Sequence, residues 1–92
     1  MTDIKNLTKL IIKFRDDRDW KQFHTPKDLA INLSLEAAEV LEHFLWKTQE
    51  EQDEHVKKHK KEVGEELADT MVNILIMAHD FDIDIKDRKA HV

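Results

Sequence analysis

One glycine and one proline in 92 residues leave this chain few places to reverse direction. A many-stranded β fold needs a turn former every few residues, so the shortage argues for a few long helices and an all-α fold. At this length the sequence reads as one domain, 1–92, and a domain so short buries only about two-thirds of its unfolded surface. Apolar residues make up 40% of the chain and charged residues 38%, so a lone protomer has little material for a core. The 15 Lys+Arg against 20 Asp+Glu give a net charge of −5, which offers no support for binding a nucleic-acid polymer through its phosphates. The absence of cysteine excludes disulfides and thiolate zinc sites. No apolar run is long enough to span a membrane, and the first ten residues lack a signal-peptide core, so the expectation is a soluble, cytoplasmic protein with no membrane partner.

Ile4, Leu7, Ile11 and Phe14 follow a 3-4-3 spacing that predicts a helix from Asp3, its N-cap, to about Asp19. The segment Arg18 to His24 breaks the period. Thr25-Pro26-Lys27-Asp28 then supplies a capping hydroxyl, a proline at the first helical position and an acid in the first turn, so a second helix starts at Pro26 and is expected to reach about Trp46. Thr48-x-x-Glu51 is a capping box that opens a third, long element. Its first half, to about Glu62, is a charged arm, its second half, Val63 to His79, is apolar on one side, and Gly64 is the expected bend between them. Phe81 to Ile85 reads as a connector into a short helical tail at Lys86 to Val92. The expected architecture is a four-helix-bundle-type core of three main helices plus that short one, completed by oligomerisation.

At 100° per residue, Asn32, Glu36, Glu39 and His43 fall within a sector of roughly 60° on an otherwise apolar second helix. Glu62, Glu66, Asp69 and Asn73 share a similar sector on the third element. If the two helices pack antiparallel with these stripes facing, Glu36, Glu39, Glu66 and Asp69 converge, and none has a Lys or Arg three or four residues away on its own helix. Like charges held close in a partly dry site are unfavourable unless a cation intervenes, and an all-oxygen donor set suits Mg²⁺ or Mn²⁺. The bland alternative is a solvated acidic face that pairs with another subunit. His55 and His59 have helical metal-pair spacing, but lysines and acids surround them without an evident third ligand, so they read as part of the charged arm. Trp20, Phe23, His24 and Trp46 flank the second helix, where aromatics either cap a core or stack against a flat ligand such as a nucleobase.

The ordered set Arg18-Asp19-Trp20-Lys21-Gln22-Phe23-His24, Glu36-x-x-Glu39, Trp46-Lys47 and Glu66-x-x-Asp69 closely resembles the MazG-like all-α nucleoside triphosphate pyrophosphohydrolases, especially their compact dCTP-pyrophosphatase branch. The likeness runs from about Leu7 to Ile85. It implies a dimer or dimer of dimers that hydrolyses a (d)NTP between the α and β phosphates to (d)NMP and pyrophosphate, and a role in clearing the dNTP pool. It also implies Mg²⁺ held by Glu36, Glu39, Glu66 and Asp69, which form the catalytic set. Base contacts fall on Trp20, His24 and Trp46, a phosphate contact on Lys47 and a substrate contact on Asn73. Two departures stand out. Leu35 occupies a position where many relatives carry a further Glu, which leaves the number of bound ions open. Relatives also continue past Phe81 to Ile85 into a tail that helps hold phosphate, whereas this sequence ends at Val92, so the tail is either dispensable or its loss weakens that grip. The competing function is a non-catalytic helical dimer, an interaction module whose acidic stripes bind a basic partner.

Overall fold

The computed structural model describes residues 3–86, and among them there are four α-helices and no strand: α1 (Ile4–Asp17), α2 (Pro26–Glu42), α3 (Gln49–Lys58) and α4 (Lys60–Asp80), with a 3₁₀ turn at Lys21–Phe23. The all-α class is as expected, and the tail expected beyond Lys86 lies outside the described residues. Each start is written in a cap. Asp3 Oδ1 accepts from the Asn6 amide at 2.8 Å, Thr25 Oγ1 from Asp28 at 3.1 Å, and Thr48 and Glu51 satisfy each other's backbone donors. The two hydrogen bonds from Thr48 hold the Glu51 carboxyl below its usual range.

Two boundaries differ from the sequence expectation. Helix α2 ends at Glu42 rather than near Trp46, because the amides of His43 and Phe44 turn back to Val40 and Leu41 in tight i→i+3 bonds and Trp46 takes φ 64. The expected third element is two helices, and the break falls at His59 (φ −121, ψ 36) rather than at Gly64, which lies inside α4 with nothing within 4 Å of where a Cβ would sit. Lys57, Lys58, Lys60 and Lys61 surround the break, and a continuous helix would place several of them three or four residues apart on one face, where like charges destabilise it.

Helix α4 is the organising element. It runs antiparallel to α2, so that Leu29 meets Asn73 at one end and His43 meets Glu66 toward the other, and it also carries α1 and α3. Ile12 of α1, Leu29 of α2 and Ile76 of α4 form the buried cluster, with Ile11 and Met77 packed against it. The buried face of α1 is rotated from the expected stripe. Ile12 and Arg15 point inward, while Phe14 stays half exposed under the Arg18 guanidinium, 3.4 Å from its ring centroid. Arg15 sets that rotation. Its side chain is 2% exposed and its Nη1 donates to both Asp80 carboxylate oxygens, at 2.9 and 2.7 Å, tying α1 to the end of α4.

Without Asp80 the buried guanidinium keeps only the 3.2 Å contact of its Nε with the half-exposed Asp16, and breaking a buried pair typically costs about 3–5 kcal/mol. Asp80→Ala is therefore expected to lower the unfolding free energy by about 3 kcal/mol in urea titrations at fixed protein concentration. A loss below about 1 kcal/mol would show that the pair does not set the orientation of α1.

Candidate metal centre

Facing sectors of α2 and α4 bring Glu36, Glu39 and Glu66 together, with one carboxylate oxygen from each lying within 4.8 Å of the other two. Glu36 and Glu66 are half buried and Glu39 is exposed. Asp69, one turn along α4, lies outside this trio, but its charge acts on both Glu36 and Glu66. Among the described residues no lysine or arginine pairs with the trio, and the one basic side chain in ion-pair range is His43, whose Nε2 is 3.8 Å from Glu66 Oε1.

The electrostatic result is a site that retains protons. Hydrogen bonding with Glu39, then burial and the charges of Glu39, Glu36 and Asp69, push the Glu66 carboxyl up to about 7. Burial, followed by the charges of Glu39 and Asp69, raises Glu36 as well. Glu36 also keeps one oxygen, Oε2, buried without a hydrogen-bond partner. A divalent cation in this position would replace the retained proton, satisfy the orphaned oxygen and relieve the repulsion, so the residues fit Mg²⁺ or Mn²⁺ by charge and donor type.

The other residues singled out from sequence are placed differently. Trp46 is 97% exposed in a left-handed backbone conformation and packs against nothing among the described residues, which gives it no core role there. Trp20 is half exposed, edge-on to Phe14 at 5.6 Å, and His24 buries an Nδ1 with no partner. Lys47 lies beside Glu51 and the α3 arm. Asn73 is in the interhelix core, where its Nδ2 donates to the Leu29 carbonyl at 2.9 Å and contacts Met77 Sδ at 3.4 Å. That amide nitrogen holds α2 to α4, which gives Asn73 a packing role beside the substrate contact expected of it.

The expectation for His55 also changes, since it is not simply part of a solvated arm. Its Nε2 meets His43 Nδ1 at 2.8 Å, and burial, then the neighbouring His59, Lys47 and His43 charges, push its pKa down. His43 is the site neighbour that motif reading passed over, although its place in the sector of Glu36 and Glu39 on α2 was the available signal.

The raised Glu66 pKa fixes the sign of a stability change. Below about 4.5 the carboxyl is protonated in both folded and unfolded chains. As pH rises toward 7 the unfolded chain releases that proton while the folded chain keeps it, so folding becomes less favourable. In the metal-free protein, the melting temperature of Glu66→Gln should therefore fall less than that of wild type between pH 4.5 and 7. Parallel profiles in EDTA would show that no proton is shared between Glu39 and Glu66.

Comparison with known proteins agrees with this arrangement. A family model described as MazG-like matches residues 31–92. The dCTP pyrophosphatase 1 of Rattus norvegicus is 30% identical over 84 residues, covering 89% of this chain and 49% of that protein. The human dCTP pyrophosphatase 1 is 31% identical over 77 residues, or 82% of this chain and 45% of the relative. The chain thus spans about half the length of these curated relatives. A crystal structure of a pyrophosphatase from Archaeoglobus fulgidus superposes with a TM-score of 0.90 at 34% identity, over 99% of this chain and 85% of that one. With its fold, its paired acidic motifs and these likenesses in accord, the chain belongs to the MazG-like family.

Proposed function

We propose that the protein is a Mg²⁺-dependent (d)NTP pyrophosphohydrolase that cleaves between the α and β phosphates, with dCTP or a related dNTP as substrate, and that it acts on the cytoplasmic nucleotide pool. The observation that carries this reading is the trio Glu36, Glu39 and Glu66, held together on two helices where, among the described residues, no lysine or arginine pairs with it, and where hydrogen bonding with Glu39, burial and the mutual charge raise the Glu66 pKa. The likeness to two dCTP pyrophosphatases and to a pyrophosphatase structure supports the reaction class.

A bound divalent cation would supply neutralisation of phosphate charge and a water of lowered pKa. Glu36 and Glu66, the less exposed acids, would hold it. Asp69 adds negative charge on the α4 side. Glu39 is exposed and already shares a hydrogen bond with Glu66, which suits it to orient or deprotonate the attacking water. Trp46 offers a free ring face for the base, with Trp20 and His24 as further base contacts, and Lys47, next to Trp46 in the chain, contacts phosphate. The amide nitrogen of Asn73 is engaged in the core, which leaves its amide oxygen as the atom to contact the substrate.

Purified protein with dCTP and Mg²⁺ should release pyrophosphate and dCMP, and Glu66→Gln should abolish the reaction. Trp46→Ala should raise KM about tenfold, within the range of one aromatic–base stack, without lowering the melting temperature. Pyrophosphate release that survives Glu66→Gln would refute the assignment of the site. The interaction-module alternative forecasts no Mg²⁺-dependent nucleotide binding at all.

The same reading includes a homodimer or a dimer of dimers. Leu35 and Leu41 of α2 are 56% and 57% exposed and Leu67 of α4 is 54% exposed, on the helices that carry the site. Apolar surface of this kind on two core helices is what a helix-to-helix subunit contact removes from water. Light scattering at micromolar concentration should give at least twice the protomer mass, and a folded monomer there would refute the assembly.

A further inference from the structure

The carboxylate trio leaves one neighbouring device unexplained. His43 closes α2 seven residues after Glu36, and its two ring nitrogens face different partners. Nε2 lies 3.8 Å from Glu66 Oε1, while Nδ1 lies 2.8 Å from Nε2 of His55, which arrives from α3. The His55 ring is held in turn, edge-on to Phe44 at 5.8 Å and tilted by 31° against His59 at 4.5 Å. Both histidines are half buried.

A neutral imidazole carries hydrogen on one nitrogen only, so a 2.8 Å contact between two rings needs one donor and one acceptor. If His43 donated from Nδ1, its Nε2 lone pair would face a carboxylate oxygen of Glu66. If His55 donates from Nε2, the His43 hydrogen sits on Nε2 and faces that oxygen instead. The second arrangement is the favourable one once Glu66 is ionised. The 3.8 Å separation is longer than a hydrogen bond, and in the metal-free protein Glu66 is engaged with Glu39.

We propose that His43 is a positioning residue for Glu66, with His55 holding it in the Nε2–H form so that this N–H orients the ionised carboxylate toward a divalent cation. The proposal rests on the metal-site reading above. It makes α3 a functional element that sets the hydrogen of a ring bordering the site. Hydrogen bonds of this outer kind are typically worth 10- to 100-fold in metal affinity.

Two amide substitutions separate the roles of the two nitrogens. Gln places its amide nitrogen near the position of Nε2, and Asn places one near Nδ1. Calorimetric titration of Mn²⁺ without nucleotide, at one pH, should show His43→Asn binding about tenfold more weakly than wild type, with His43→Gln close to wild type. If His43 only ties α2 to α3, the ranking inverts, and that result, or equal affinities for all three proteins, overturns the proposal. A wild-type protein that takes up no Mn²⁺ refutes the metal site itself, a distinct outcome. Should neither variant fold, two-bond ¹⁵N–¹H correlation on the wild-type protein in Mg²⁺ decides the matter. His43 protonated on Nε2 supports the proposal, and His43 protonated on Nδ1 overturns it.

Discussion

The packing of α2 against α4 does two opposed things at once. Leu29 goes into the core beneath the Asn73 amide, and the same antiparallel register drives Glu36 and Glu39 against Glu66. The helices cannot gain the first without accepting the second. Burying apolar surface stabilises by about 25 cal/mol per Å², and the core available for that is small, with Ile12, Leu29, Leu75 and Ile76 as its buried apolar members. The repulsion among the acids is relieved in the metal-free chain by retaining a proton, which is what the raised Glu66 carboxyl records. A site in this state is poised to exchange a proton for a cation.

Much of this was legible in the sequence because it depends on local rules. The capping groups at Asp3, Thr25 and Thr48 act within four residues, and the acidic sectors follow from helical rotation alone, so the starts of α1, α2 and α3 and the two acidic stripes could be located before any packing was known. Their convergence needed the antiparallel packing, and Asp69, expected with them, lies outside the trio. Details that depend on distant partners were not legible. The rotation of α1 follows from Arg15 reaching Asp80, 65 residues away. The packing role of Asn73 follows from the Leu29 carbonyl 44 residues earlier, and the significance of His43 follows from His55 on another helix. The early end of α2 depends on how the chain turns toward α3.

The breaks follow the same division. A lone glycine invites a bend at Gly64, yet the chain bends at His59, inside the run Lys57, Lys58, Lys60 and Lys61, where a continuous helix would stack like charges. A helical glycine costs about 1 kcal/mol relative to alanine and leaves the backbone hydrogen bonds intact. Several lysine pairs at three- and four-residue spacing each add a few tenths of a kcal/mol. Three such pairs sum to about what one glycine costs, so the repulsion favours a break at His59 without deciding it alone.

With its glycine inside a helix, the chain must make its left-handed turns with other residues: Asp19, Trp46 and Asp82 all have positive φ. Aspartate tolerates this region, since its short side chain can bond locally to the backbone, whereas a tryptophan there is strained by about 1–3 kcal/mol. Nothing within the protomer offsets that strain through packing, since Trp46 is 97% exposed. A large ring held at an energetic cost, with no contact of its own, sits where the α2–α3 turn leaves the acidic face. Under the proposed function, its contact is a second subunit or the flat base of a bound nucleotide. The strain and the exposure both support the proposal that Trp46 serves the site, even though no hydrogen bond or ring contact among the described residues ties it to the carboxylates.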